Sequence, residues 1–347
     1  MQINRRTVLK GLGSVPLIGA APYIARAQDK PERLTVTTFG GSVEKAIREI
    51  FVADFTARTG IQVDLVLGTP FQWISQVQAS PQRPPYDVVL CGANQLPDIA
   101  SKGLFDDIRK GDMKHLDDVP HQFIDMCEGV GVAYDYGTVG IVYHKDRVKT
   151  PPKSLREFIE RTVAGDWIAS VPSINDPTSA SNLIYSLNDV LGGSLDDITP
   201  VIDAVKKMRP NMIFWNGLTD FPLQVRSGDA DIGIYVDGRT WAEYDAGSTY
   251  LDFINPAEGG IMAPGAVLKP IHANPWAWQF IDTMLAPEQQ ARFADRMYFG
   301  MTNQKVVYSD KAKSKITPWE KTRLPPAGEI GKRIPAWVER WNREIGG

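Results

Sequence analysis

Residues 129–148, with the sequence GVGVAYDYGTVGIVYHKDRV, constrain the fold more than any other part of the chain. Apolar and β-branched residues are interspersed with glycines and aromatic residues, which predicts a strand interrupted near its middle at Tyr136-Gly137-Thr138. Helix and strand patterns precede this segment, and a second series of them begins at Pro151. A strand that leaves one α/β lobe, bends at a glycine and enters a second lobe would be a hinge beside a ligand cleft. A β-hairpin arm within a single domain is the alternative.

The first 27 residues have the pattern of a twin-arginine-type signal peptide. Arg5 and Arg6 give a positively charged start, residues 8–24 are weakly apolar, and Ala25-Arg26-Ala27 is an A-x-A cleavage site. The apolar stretch is too short for a membrane-spanning helix. The arginine pair resembles the export signal that sends folded proteins across the inner membrane. We therefore expect a mature protein that begins at Gln28 and resides in the periplasm.

The charge balance limits the partners that this chain can have. It contains 38 Lys and Arg residues against 41 Asp and Glu residues, and the predicted leader holds four of the basic residues and no acid. The mature chain then keeps 34 basic residues and a net charge of −7. An acidic protein of this kind is a poor partner for nucleic acid or an anionic membrane. We expect two domains, since ~320 residues is more than a single hydrophobic core usually contains. We also expect a monomer.

The cysteines and histidines give no sign of a metal or a cofactor. The four histidines lack the close spacing of metal ligands, and no CxxC pattern occurs. Cys91 and Cys127 are the only cysteines, and in an oxidising compartment they could form a disulfide. The distance between their Cα atoms decides this, and the sequence does not give it. We favour two unpaired thiols, because Cys91 ends a predicted core strand, and we expect neither metal nor cofactor.

The mature chain begins with a strand–helix–strand pattern. Residues 34–38 and 61–67 predict strands, and apolar residues recur at helical spacing over residues 43–55. Such a unit implies a parallel sheet. Four residues join the first strand to the helix at the edge where open α/β sheets bind ligands: Phe39, Gly40, Gly41 and Ser42. Their backbone N–H groups could bind a polar ligand group, or the two glycines could simply form a tight turn.

Two further loops follow predicted strands. Asn94 comes after a strand at residues 86–90 and either contacts the ligand or caps the next helix. Asp176 fits the N-cap of a second helix with Pro177 at its first position. Thr178 and Ser179 then place hydroxyl and N–H groups at the helix start, where they could bind an acid group of a ligand. Plain helix capping is the alternative for these residues.

Two charged residues follow the strand predicted at residues 232–236. Asp237 and Arg239 flank a glycine there, so both side chains could point into a cleft. Opposite charges at this spacing could instead pair with each other, and the sequence leaves both possibilities open.

Five segments, in this order along the chain, resemble the extracellular solute-binding proteins of family 1, which serve ABC importers. The resemblance covers nearly the whole mature chain and is closest to the spermidine/putrescine-binding group. The segments lie at residues 59–63, 86–89, 136–141, 227–233 and 256–260.

This resemblance implies an α/β, two-lobed type II periplasmic-binding-protein fold, with mixed sheets flanked by helices and a central ligand cleft. It implies a first lobe of residues 28–137 plus 257–302 and a second lobe of residues 138–256 plus 303–347. Trp337 and Trp341 would pack the C-terminal helix on the second lobe. The implied protein is not an enzyme; it delivers a small solute to an inner-membrane permease with a cytoplasmic ATPase.

The resemblance carries over less well to the ligand. Polyamine binders of this group line the cleft with aromatic residues and carboxylates, for which the candidates here are Phe39, Tyr136, Trp215 and Asp237. However, residues 260–267 lack the Trp and the Asp that the group supplies, and Arg239 would repel a polyamine. The Tyr-Tyr pair of the related ferric-iron binders is also absent.

We therefore expect a small polar organic solute, polyamine-like or γ-amino-acid-like, with an anionic group. Arg239 or the helix start at residues 178–179 would bind the acid, and Asp237 could bind an amine.

An enzyme on the same fold is the alternative function, as in thiaminase I, where a cleft cysteine is the nucleophile. Cys91 would have that role here, because it ends its strand at the predicted cleft. A nucleophilic cysteine needs an adjacent base or a lowered pKa. The sequence shows no nearby His or Glu pattern that would supply one.

The export route can be tested by changing the arginine pair. The double substitution Arg5→Lys and Arg6→Lys keeps the charge, and we expect it to abolish periplasmic accumulation because the twin-arginine signal requires guanidinium groups. Fractionation and immunoblotting measure this, with Arg26→Lys as the control outside the pair. Normal periplasmic levels of the double variant would reject the twin-arginine route.

Overall fold

The computed structural model describes residues 30–346, except for the side chains of Asn94, Pro177 and Thr178. The predicted signal peptide, residues 1–27, lies outside these residues. The described chain is a mixed α/β structure with helices packed around β-sheets. None of its helices is both long and apolar enough to span a membrane.

The β-strands of the described residues form a two-stranded parallel sheet and a nine-stranded mixed sheet. They are β1 (Arg33–Thr38), β2 (Gln62–Leu67), β3 (Val89–Gly92), β4 (Gly131–His144), β5 (Ala169–Pro172), β6 (Met212–Trp215), β7 (Ile232–Val236), β8 (Leu251–Ile254), β9 (Gly260–Leu268), β10 (Gly300–Met301) and β11 (Thr322–Arg323). The predicted parallel pairing of the first two strands is confirmed, with Thr38 opposite Leu67 at their carboxyl ends.

The helices of the described residues connect and cover these strands. They are α1 (Ser42–Ile47), α2 (Ala53–Thr59), α3 (Pro70–Ala79), α4 (Leu96–Ser101), α5 (Gln122–Asp125), α6 (Leu155–Ala164), α7 (Pro177–Val190), α8 (Thr199–Met208), α9 (Asp220–Ser227), α10 (Asp237–Asp245), α11 (Ala277–Leu285), α12 (Pro287–Met297), α13 (Asp310–Lys313) and α14 (Ala327–Glu344). A π-helical turn, Arg48–Val52, joins α1 to α2, so that the chain is continuously helical over residues 42–59.

Several helix ends follow the capping pattern of the sequence. Ser154 accepts a hydrogen bond from the backbone N–H of Glu157 at the start of α6, and Asp176 accepts one from Ser179 at the start of α7. Gly60 ends α2 in the left-handed conformation. At the start of α1, Gly41 is the N-cap and Ser42 is the first helical residue.

Strand β4 crosses the molecule and pairs with different partners along its length. Its first part pairs antiparallel with β9, from Gly131 to Val139, and its second part pairs antiparallel with β7 and β8. The predicted interruption at residues 136–138 is wrong, because the strand is continuous there. A β-bulge lies instead between Ala133 and Asp135. Gly137 is needed for close approach, since a Cβ there would lie 2.7 Å from Cγ2 of Val236.

The hydrophobic interior of the described residues divides into three clusters. The first core is built from β1–β3, α11 and α12, the second from α6–α8 and α14, and the third from β6, α9 and β7. Strand β4 contributes to all three, through Tyr134, Ile141 and Val142 respectively. Trp337 and Trp341 of α14 are buried in the second core, and Trp337 Nε1 donates a hydrogen bond to Leu195 O at 3.2 Å.

The lobe boundaries given above remain a prediction. Ala312 belongs to the first core, although residues 303–347 were assigned to the second lobe as a whole. The C-terminal segment therefore packs against both cores, its earlier part on the first and α14 on the second.

The packing of α14 can be tested through its tryptophans. Trp341 is fully buried, and its indole N–H has no hydrogen-bond partner among the described residues, so its contribution to stability comes from packing alone. Trp341→Ala should lower the free energy of unfolding by about 3–5 kcal/mol. Urea unfolding followed by circular dichroism measures this. The control is Trp319→Ala, at a side chain that is 42% exposed, where we expect a loss under about 1 kcal/mol. Equal losses would contradict the packing of α14.

Candidate functional site

A polar cavity lies where the loop after β1 meets α9 and α10. Its volume is about 220 Å³. The residues that line it come from both parts of the chain that β4 connects: Gly41, Ser42, Leu218, Thr219, Pro222, Leu223, Arg226, Tyr235, Arg239, Glu243 and Ser248. Three of the sequence-predicted site residues, Gly41, Ser42 and Arg239, are therefore together in one cavity.

The start of α1 forms one wall of this cavity. Gly41 has φ of 78°, a backbone conformation that favours glycine. A Cβ at this position would lie 3.7 Å from Nη1 of Arg239, so the backbone passes close to the guanidinium. The first N–H groups of a helix have no intrahelical acceptor and carry a partial positive charge. This wall therefore favours an anionic or hydrogen-bond-accepting group.

Arg239, in the first turn of α10, supplies the charge of the cavity. Its side chain is largely buried, since the residue is only 7% exposed. Within residues 30–346 it has no hydrogen bond and no ion pair, and it does not pair with Asp237. Burial raises the pKa of the neighbouring Tyr235 phenol, and the positive charge of Arg239 opposes that rise. An unpaired, nearly buried guanidinium beside a cavity is a binding group for an anion.

Asp237 has a different environment from Arg239, although the two residues are neighbours in sequence. It is 2% exposed, does not line the cavity, and its Oδ1 accepts hydrogen bonds from the backbone N–H groups of Thr138 at 2.8 Å and Gly238 at 2.6 Å. Burial raises its pKa from 3.8 to about 7, and these two hydrogen bonds partly oppose the rise. Asp237 thus ties α10 to strand β4.

The remaining predicted site residues of the first part of the chain lie outside the cavity. Phe39 packs on the first core, with its ring centroid 5.6 Å from that of Trp73. Gly40 has open space around it. Tyr136 is buried in the first core and stacks on Phe123 at a centroid distance of 6.2 Å. The side chain of Asn94 is not among those described.

In the second part, Asp176 and Ser179 bond to each other. The Ser179 hydroxyl donates to Asp176 Oδ2 at 2.8 Å, in addition to the N-cap bond. Trp215 is buried in the third core, and its Nε1 donates to Ile234 O at 3.4 Å. The side chain of Thr178 is not among those described. For Asp176 and Ser179 the structure therefore has the capping interactions that the sequence analysis left as the alternative.

The sequence analysis missed two charged residues of the cavity, Arg226 and Glu243. They lie on α9 and α10 respectively. From the sequence, Asp237 and Arg239 are predicted only to follow a strand, whereas in the structure α10 begins at Asp237. Had the helix been recognised, Glu243 would have been expected on the face of Arg239, because residues four apart are neighbours on a helix.

The two cysteines are buried and unpaired, as favoured above. Burial raises the pKa of both thiols, and for Cys91 the proximity of Cys127 raises it further. A cysteine nucleophile needs a thiolate and access to its substrate. Cys91 in β3 has neither, so the structure gives no support to the enzymatic alternative. Among residues 30–346 there is also no group of three His, Cys, Asp or Glu side chains that could hold a metal ion.

The mixed α/β fold, with helices flanking its sheets, is the fold of the two-lobed periplasmic binding proteins. A family model described as bacterial extracellular solute-binding protein matches residues 51–318. The chain belongs to this family. A comparison with curated proteins gives no match.

Solved structures agree with this assignment. An extracellular solute-binding protein from Bordetella parapertussis is 28% identical, with 90% of this chain and 99% of that chain covered and a TM-score of 0.76. AgtB from A. tumefaciens R10, solved in complex with agropinic acid, is 17% identical, with coverages of 91% and 99% and a TM-score of 0.74. The Atu4243-GABA receptor is 18% identical, with coverages of 89% and 96% and a TM-score of 0.73. The two-lobed fold predicted from the sequence is confirmed.

The raised pKa of Asp237 predicts a pH dependence of stability. A carboxyl group whose pKa is about 7 in the folded state and 3.8 ordinarily favours folding when protonated. Its contribution is complete below about pH 4 and is lost as the pH rises to 7, at about 1 kcal/mol per pH unit. Asp237→Asn keeps an acceptor oxygen but cannot ionise, so the wild-type free energy of unfolding should fall relative to this variant over that range.

Urea unfolding of both proteins at pH 4 to 8 measures this difference in the free energy of unfolding. Groups other than Asp237 titrate in both proteins, so their contributions cancel. Because burial causes the shift, the slope should be nearly the same in 0.5 M NaCl. A difference between the two proteins that stays constant with pH would show that Asp237 is ionised in the folded protein throughout.

Proposed function

We propose that this protein is the periplasmic binding component of an ABC importer and that it captures a small organic solute with an anionic group. The family membership supports solute binding, and the pattern of the first 27 residues supports the periplasm. In this proposal the solute is held between two lobes with the boundaries predicted above. The protein then acts as a monomer and passes the solute to an inner-membrane permease with its ATPase.

The observation that carries the choice of an anionic solute is the unpaired guanidinium of Arg239. A buried charge without a partner is costly, so a ligand that neutralises it gains free energy that an uncharged ligand does not. Hydrogen bonds to a charged group each contribute about 1.5–3 kcal/mol. The N–H groups at Gly41 and Ser42, in the same cavity, would bind a second oxygen of the same acid group.

The same cavity is unfavourable for a polyamine. A di- or tri-cation there would meet Arg226, Arg239 and the positive end of a helix, with Glu243 as the single acid in the described lining to offset them. Strand β9 contributes no acid, and the Asp237 carboxyl already accepts two backbone hydrogen bonds. In our proposal, the resemblance to the spermidine/putrescine-binding group therefore applies to the fold and not to the ligand.

Two of the structural neighbours support an amino-acid-like solute. One is solved with agropinic acid and the other is a GABA receptor. In our proposal the acid group contacts Gly41, Ser42 and Arg239. For the other predicted residues, a contact with the ligand stays a prediction: Phe39, Gly40, Asn94, Tyr136, Asp176, Thr178, Ser179, Trp215 and Asp237. Those of them whose side chains are described do not line this cavity.

The proposal is tested by removing the guanidinium. A thermal-shift screen of organic acids, amino acids and polyamines on the wild-type protein should show stabilisation by acids, since binding stabilises the folded state. For an acid that binds, Arg239→Gln should weaken the affinity by about 10- to 150-fold. Arg333→Gln, which removes a surface ion pair with Asp196, is the control and should leave binding unchanged. Strong stabilisation by putrescine or spermidine, with none by any acid, would refute the proposed ligand class.

A further inference from the structure

A second charged side chain lines the cavity without a partner. Glu243 lies four residues after Arg239 on α10, so the two side chains are on the same face of the helix. The carboxylate of Glu243 has no hydrogen bond or ion pair with any residue of the described chain. Its backbone carbonyl accepts a hydrogen bond from the N–H of Ser248. The cavity therefore contains one unpaired positive and one unpaired negative group on a single helix.

Several oppositely charged residues four apart on helices of this chain pair with each other, although others, such as Asp203 and Lys207 on α8, do not. Glu44 and Arg48 form such an ion pair at 2.6 Å. On α14, Arg340 and Glu344 have the same order along the chain as Arg239 and Glu243, and their atoms are 2.9 Å apart. Arg239 and Glu243 have the same residue types at the same spacing, but they do not form an ion pair. We call them the open pair.

The charges of this open pair both lie near Tyr235, which lines the same cavity. The pKa of the Tyr235 phenol, raised mainly by burial, is lowered by Arg239 and raised further by Glu243 and by Asp220. The hydroxyl is itself held by the carbonyl of Leu218. A ligand in front of Tyr235 would thus meet a cation and an anion that the protein has left unsatisfied.

The other charges near the cavity do not compete for these roles. Asp237 is buried and accepts hydrogen bonds from backbone N–H groups. Asp220 does not line the cavity, and its carboxylate accepts hydrogen bonds from the backbone N–H groups of residues 216–217. Arg226 is exposed at the end of α9, where water can solvate it. A ligand ammonium group in the cavity therefore has one available carboxylate, that of Glu243.

We infer that Glu243 binds the cationic group of the solute, so that the protein selects amino acids, with an acid on Arg239 and an amine on Glu243, over organic acids without an amine. This inference rests on the proposed function and adds the residue that recognises the second charge. A charge-assisted hydrogen bond in a partly buried site makes the amine worth about tenfold or more in affinity.

A purely electrostatic role of Glu243 makes a different prediction. If its carboxylate only offsets the charge of Arg239 across the cavity, its removal strengthens the binding of every acid alike. If it binds an amine, its removal weakens the binding of amino acids and leaves their amine-free analogues unaffected or strengthened. Matched ligand pairs separate the two roles.

The experiment measures dissociation constants by calorimetry for four pairs of ligands. These are β-alanine and propanoate, 4-aminobutanoate and butanoate, 5-aminopentanoate and pentanoate, and glutamate and glutarate. In the wild-type protein at least one amino acid should bind about tenfold or more tightly than its analogue. Glu243→Gln should reduce that ratio about tenfold, and Glu339→Gln, on the exposed part of α14, should leave it unchanged.

The outcomes distinguish this inference from the proposed function. If acids bind and depend on Arg239 but the ratio is the same in Glu243→Gln, the proposed function stands and the role of Glu243 is refuted. Wild-type protein that binds the analogues as tightly as the amino acids, or that binds none of the four amino acids, also overturns the inference. Arg239→Gln with wild-type affinity for acids would refute the proposed function itself.

Discussion

The continuous backbone pairing of strand β4 is the constraint on which the rest of the structure depends. Its first part is hydrogen-bonded to β9 within the first core, and its second part to β7 and β8 beside the second and third cores. Adjacent strands lie about 4.8 Å apart, so these pairings fix the distance between the elements on either side. Gly137 permits this pairing, because a Cβ there would collide with Val236 and Phe299.

The cavity follows from this arrangement. The loop after β1 comes from the first core, and α10 follows β7, which is paired with β4. Asp237 strengthens that link by accepting the N–H of Thr138 on β4. Arg239, two residues later, is consequently held beside Gly41 with its charge uncompensated. A surface ion pair would have contributed little to stability, whereas an unpaired guanidinium in a cavity is a binding group for a solute.

Much of the fold could be predicted from local patterns. Strand β7 begins and ends at the predicted residues, and Asp176 is the N-cap of α7 as expected, because such features depend on residues close in sequence. The site was predicted less well. Tyr136 and Trp215 are aromatic residues near strand ends, but both are buried in cores, since burial depends on which distant elements pack against them.

By itself, the sequence determined the class of fold, the order of its elements, the placement of polar residues at strand ends and the presence of Arg239 just after one strand. It also excluded a metal-ligand pattern and indicated export. Only the tertiary structure decided that β4 is unbroken, that Asp237 is buried against β4, and that Arg239 and Glu243 remain unpaired in one cavity. The physical reason is that pairing and burial of a charge depend on groups far apart in sequence, whose positions are set by the packing of β4 against both halves of the molecule.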